Sequence, residues 1–117
     1  DYLTAKLYYD LGTYTGNASY TADMRINGNN FLACITTAQN ALKDYPYTSM
    51  REDISILLLR AKHKLGSESV LEKKEERMRE TIDEYYAFKN EFPESKYMKE
   101  VESIYKDASK YVKELNE

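Results

Sequence analysis

Residues able to do chemistry are few and scattered in this chain of 117 residues. A catalyst needs an acid, a base, a nucleophile or a metal held at fixed geometry. His63 is the one histidine and lies in Arg60-Ala61-Lys62-His63-Lys64. A metal would need further imidazole or thiolate ligands beside it, and general-base work would need a group to orient the ring. Its sequence neighbours are basic, so we expect a surface histidine. Cys34 is the single cysteine, in Phe31-Leu32-Ala33-Cys34-Ile35. A reactive thiolate needs a cation near it. None is close in sequence, and Cys34 reads as a small buried residue with no internal disulfide. The carboxylates of Glu72–Glu80 are interleaved with basic residues and read as a solvated helix face. The glycines form no phosphate-binding loop of the Walker or dinucleotide type. Asn17-Ala18-Ser19 fits the glycosylation sequon, a triplet common by chance. The expectation is therefore no catalytic residue, no metal site, no cofactor and no enzyme activity. No individual partner-binding residue can be assigned.

The totals narrow the class further. Seventeen basic against twenty acidic residues give a net charge of −3. That argues against nucleic acid as the main partner, because phosphate binding needs a positive excess on one face. No apolar run reaches bilayer-spanning length, and no stretch has the pattern of a signal peptide. The chain opens at Asp1 inside a helical pattern, which we read as part of a longer protein. Tyrosine is abundant: 12 Tyr against 3 Phe and no Trp. Tyr has a large apolar body and one polar tip, suited to wide helix interfaces.

What such a chain must do with its apolar residues is written in a repeat. Tyr45-Pro46-Tyr47-Thr48-Ser49-Met50 is answered 47 residues later by Phe92-Pro93-Glu94-Ser95-Lys96-Tyr97. The correspondence extends backwards, Ile35 to Ile82, Ala38 to Tyr85 and Ala41 to Phe88. Each stretch reads as a helix, an aromatic-Pro stop, then a hydroxyl residue able to cap the next helix. Self-similarity of this kind marks stacked helical hairpins that bury apolar faces only against their neighbours.

Five helices follow from the periodicity. The first covers Asp1 to Leu11 and ends at Gly12. Residues 13–29 carry Gly16, Asn17, Ser19, Asn27, Gly28 and Asn29, and read as a long inter-helix loop. The second helix runs from Asn30 to Tyr45 with Phe31, Cys34, Ile35, Ala38 and Leu42 inward, and stops before Pro46. The third runs from Ser49 to Leu65, opened by a capping box from Ser49 to Glu52. It carries Ile54, Leu57, Leu58, Ala61 and Leu65 on one face, with Ile56 and Leu59 at its sides. A helix this widely apolar belongs between neighbours. The fourth runs from a cap at or near Ser69 to Phe92, with Met78, Ile82, Tyr85 and Phe92 inward, Tyr86 and Phe88 flanking, and a Glu75–Arg79 pair outward. The fifth starts near Ser95 and continues almost to the C-terminus, with Tyr97, Val101, Ile104, Tyr105, Ala108, Tyr111, Val112 and Leu115 on one stripe. The fold class is all-α: one domain over 1–117, with two irregular helical hairpins and a C-terminal capping helix.

Each hairpin can be set against the tetratricopeptide (TPR) pattern W-x2-L-G-x2-Y … A-x3-F … P. The first supplies Tyr8, Leu11-Gly12, Cys34, Ala38, Ala41 and Pro46; the second supplies Leu65-Gly66, Thr81, Tyr85, Phe88 and Pro93. At a finer level, three stretches carry a more specific likeness. They are Ala5-Lys6-Leu7-Tyr8-Tyr9-Asp10-Leu11-Gly12, Ala38-Gln39-Asn40-Ala41-Leu42-Lys43-Asp44-Tyr45-Pro46, and Thr81 to Phe88 running on to Phe92-Pro93-Glu94-Ser95-Lys96-Tyr97. On these residues the chain resembles the C-terminal part of the BamD-like outer-membrane assembly lipoproteins, in their Bacteroidetes form. The resemblance implies a TPR-like α-α superhelix, a place on the periplasmic face of the outer membrane through an N-terminal lipid, and contact with the periplasmic domains of a BamA-type partner. The lipid-bearing cysteine of that family has no counterpart here, since Cys34 is mid-chain. An adaptor of another cell-envelope system, with a different protein client, is the alternative. A first helix without a preceding repeat would leave Leu3, Leu7 and Tyr8 exposed and invite self-association through that end.

Overall fold

The computed structural model describes residues 2–16 and 21–113, with side chains described for 2–10 and 30–113. Among the described residues five helices follow in chain order: α1 (Tyr2–Gly16), α2 (Thr21–Asp44), α3 (Arg51–Ser67), α4 (Leu71–Glu91) and α5 (Met98–Ser109). Among the described residues there is no strand. Each helix packs on the next, and α3 also touches both α1 and α5. The principal extents are 39 × 36 × 21 Å. The smallest is about two helix diameters, as two layers of helices require.

The proline junctions repeat to the level of single hydrogen bonds. Tyr45 N–H donates to Ala41 O at 2.9 Å, and Phe92 N–H donates to Phe88 O at 2.8 Å. Thr48 N–H donates to Tyr45 O at 3.1 Å, and Ser95 N–H donates to Phe92 O at 3.1 Å. Arg51 N–H reaches Thr48 O, as Met98 N–H reaches Ser95 O. Each junction is thus two tight turns, and proline ends the helix because it cannot donate and its predecessor avoids helical angles. The register persists into the helices. Phe31 and Met78, Cys34 and Thr81, Ile54 and Val101, and Ala61 and Ala108 are all buried, each pair 47 residues apart.

Two expected starts are corrected. Ser49 does not cap α3: the residue before that helix is Met50, with no side-chain cap. The hydroxyl of Thr48 accepts from Met50 N–H at 3.1 Å instead, and the hydroxyl of Ser95 accepts from Tyr97 N–H at 3.0 Å. Glu52 leaves the capping box and accepts from Ser95 Oγ at 2.5 Å. Ser69 does not cap α4, which follows Val70; its hydroxyl donates to Leu65 O at 2.6 Å and accepts from Arg77.

The loop expected over 13–29 is also corrected. Residues 13–16 continue α1 past Gly12, and 21–29 belong to α2; residues 17–20, which include the whole Asn17-Ala18-Ser19 sequon, lie outside the described ones. Glycine and asparagine disfavour a helix by about 1 kcal/mol or less each, and continued backbone hydrogen bonding outweighs so small a penalty. Likewise α3 runs through Gly66 to Ser67, and α5 ends at Ser109, short of the expected extent.

The core has three parts. α3 places Ile54, Leu57, Leu58, Ala61 and Leu65 against Ala5 of α1 and Phe31, Cys34, Ile35, Ala38 and Ala41 of α2. From its other side Ile56 and Leu59 meet Tyr85 and Phe88 of α4 and Val101 and Ile104 of α5. Met78, Ile82, Ala108 and Val112 close the far end. The widely apolar third helix therefore is the shared wall of both units. Tyr86 and Tyr111, expected near inner stripes, stay exposed, and Leu115 is outside the described residues.

Candidate protein-interaction surface

The two junctions share a backbone and differ in how they are held. At the second, Tyr97 donates its hydroxyl to Asp53 Oδ1 at 2.8 Å, and Ser95 is tied to Glu52. Arg60 forms a two-pronged pair with Glu100, both contacts 2.6 Å, and lies over the Tyr97 ring. Bidentate geometry and partial burial make such a pair more effective than an ordinary surface one. Arg51 joins α3 to Glu91 at the end of α4, and Lys62 meets Glu84 at 2.9 Å. A polar seam thus fastens the second junction and α5 to α3.

His63 belongs to this seam. Its Nε2 lies 2.7 Å from Asp107 Oδ2, with a fifth of the side chain exposed. The expectation of a surface histidine is refined: the ring is half-buried and is a cross-helix hydrogen-bonding group, and its carboxylate lies 44 residues away in sequence. The Glu75–Arg79 pair forms as expected, at 2.9 Å. Among the described residues no three His, Cys, Asp or Glu side chains gather as a metal site would require.

Cys34 is fully buried, as its apolar surroundings require. Removal from water pushes its thiol up to about 12, so at neutral pH it carries essentially no thiolate. Native protein at pH 8 is expected to leave a thiol-specific chromogenic disulfide unreacted over a period in which denatured protein reacts completely. Rapid native reaction would contradict this packing.

Tyr85 and Tyr97 are hydrogen-bond donors to carboxylates. Tyr85 donates to Glu102 at 2.9 Å, and Lys89 donates to the same hydroxyl at 3.2 Å. Lys89 holds Glu102 below the usual carboxylate range. Burial raises Tyr85, and the bond to Asp53 raises Tyr97. A raised folded value means stability fully present below the ordinary phenol value near 10 and lost as pH climbs through the folded values. The melting temperature should fall as pH rises above about 10, and less steeply in Tyr97→Phe. An identical fall in both proteins would remove Tyr97 from the explanation.

At the first junction Arg51 donates to Pro46 O at 3.1 Å, and the surface beside it is apolar and open. Beside it is a cavity of about 450 Å³. Tyr2 and Leu3 of α1 form one wall, and Tyr45, Thr48 and Met50 of the junction form another, with buried Ala41 and Ile54 between them. Two of its lining side chains are exposed, Leu3 at 73% and Tyr45 at 67%, and Tyr47 of the same junction is 98% exposed. Leu7 is exposed as expected, whereas Tyr8 packs half-buried against the first core. Such surface on a small protein marks an interaction site more often than chance exposure. Sequence reading identified Leu3 and Leu7 but not the cavity, whose walls come from three helices.

No protein-family model, curated protein or solved structure matches the chain. No helix among the described residues is long and apolar enough to cross a membrane.

Proposed function

We propose that this chain is a TPR-like, non-enzymatic interaction module of the outer-membrane β-barrel assembly machinery, contacting the periplasmic domains of a BamA-type partner. The observation that carries the reading is the Tyr-Tyr-x-Phe and Phe-Pro-x-Ser-x-Tyr text of Tyr85–Tyr97, the part most like BamD. Its residues have structural work that explains the pattern. Tyr85 and Phe88 fill the second core, Pro93 sets the turn, and Ser95 and Tyr97 bind Glu52 and Asp53. Paired helices repeated at fixed spacing support a scaffold, since such arrays expose extended surfaces instead of closed reaction chambers. In this reading the full-length protein is held by a lipid on the periplasmic face of the outer membrane.

The test is co-purification with the soluble periplasmic domains of the BamA-type protein from the same genome. Retention of those domains through washing supports the assignment. Their absence from the eluate, with well-folded protein on the resin, returns the chain to the broader class of helical-repeat adaptors.

A further inference from the structure

We propose that the cavity at the first junction receives one aromatic side chain carried by a partner polypeptide. The second unit shows what these backbone positions enclose when filled. Forty-seven residues on, Ala41 becomes Phe88, Tyr45 becomes Phe92, Met50 becomes Tyr97 and Ile54 becomes Val101. Setting Leu11-Gly12 on Leu65-Gly66 lines Tyr2 up with Ile56. Every one of these counterparts belongs to the second core or packs against it, and Phe88 is only 2% exposed. The second unit thus carries its own phenyl ring at the place where the first carries a methyl group and an opening. Protein interiors are close-packed, and an apolar space of this size stays available to an apolar guest.

The guest is assigned to a polypeptide because the apolar surface exceeds what a free aromatic molecule would cover. Exposed Leu3 and Tyr45 line the opening, and Leu7, one helical turn on, continues the stripe along α1. An anchor in a pocket with a ring of lesser contacts is how protein interfaces concentrate affinity. The surface also continues an interface already present in the fold. Under the same alignment Leu3 and Leu7 stand where α3 has Leu57 and Ala61, which are buried against α1 and α2. α5 packs on α3 and α3 on α1; a partner on α1 would extend that order by one step.

This inference rests on the reading as a protein-interaction module and is independent of the outer-membrane assignment. The probe is a phage-displayed library of random dodecapeptides, panned on the chain, with selected peptides measured by fluorescence anisotropy. Enriched peptides should share one Phe, Tyr or Trp, and replacing it by Ala should weaken binding at least about tenfold. Ala41→Phe should abolish binding while the melting temperature holds or rises. Leu3→Glu, at an exposed position, should weaken binding to a similar degree with the melting temperature unchanged; it decides the matter if Ala41→Phe fails to fold. No enrichment, or peptides that bind the variants as well as the parent, overturns the proposal. So does an NMR titration in which toluene shifts the Ala41, Met50 and Ile54 methyl signals while no peptide binds. A chain that binds peptides here but not BamA-type domains loses only the outer-membrane assignment. One that binds those domains without discriminating Leu3→Glu or Ala41→Phe loses only the pocket.

Discussion

Phe88→Ala is expected to destabilise the protein by about 3–5 kcal/mol. The ring is 2% exposed and lies in the cluster that joins α3, α4 and α5. It also meets the Phe92 ring, with centroids 5.2 Å apart. Deleting it removes transfer free energy and leaves a space that the Tyr97–Asp53 and Ser95–Glu52 bonds hinder from collapsing. Against a total stability of about 5–15 kcal/mol that is a large share. The melting temperature should drop by roughly 10–20 °C, measurable by calorimetry. A loss below about 1 kcal/mol would mean that the second unit can repack freely. The variant has a second use, because it gives the second unit the residue that the first has at Ala41.

Leu59→Ala is expected to cost about 2–5 kcal/mol. Leu59 is fully buried on the side of α3 that meets α4 and α5, opposite the face that holds α1 and α2. Its loss should loosen the second unit first. Because Leu59 and Phe88 share one cluster, their effects should not add: the double variant should differ from the sum by about 0.5–3 kcal/mol. Denaturant titration of the four proteins gives that coupling directly. Full additivity would show that the two side chains act in separate packing environments.

Legibility from sequence follows the range of the interaction responsible. The junctions at Pro46 and Pro93 were readable because proline acts locally on its own residue and the one before it. The inner stripes of α2, α3 and α5 were readable because burial imposes the helical period. Ser49 misled because a hydroxyl three residues before a carboxylate imitates a capping box, whereas the double turn uses Thr48 and sends Glu52 to Ser95. Gly16 and Asn27-Gly28-Asn29 misled because local propensity is a weak prior against a helix that continues. His63 misled because Asp107, its partner, is on another helix. The cavity was half visible. The exchange of Phe88 for Ala41 stands in the text, but Tyr2 and Leu3 come to that place only through the packing of α1 on α2 and α3.

The central proposal is that this pair of helical units holds the periplasmic domains of a BamA-type partner. Isothermal titration of the chain with soluble periplasmic domains of the BamA-type protein from the same genome tests it most directly. The account predicts saturable binding at one molecule of each. Heats indistinguishable from dilution, with both proteins folded by circular dichroism at the concentrations used, would contradict it.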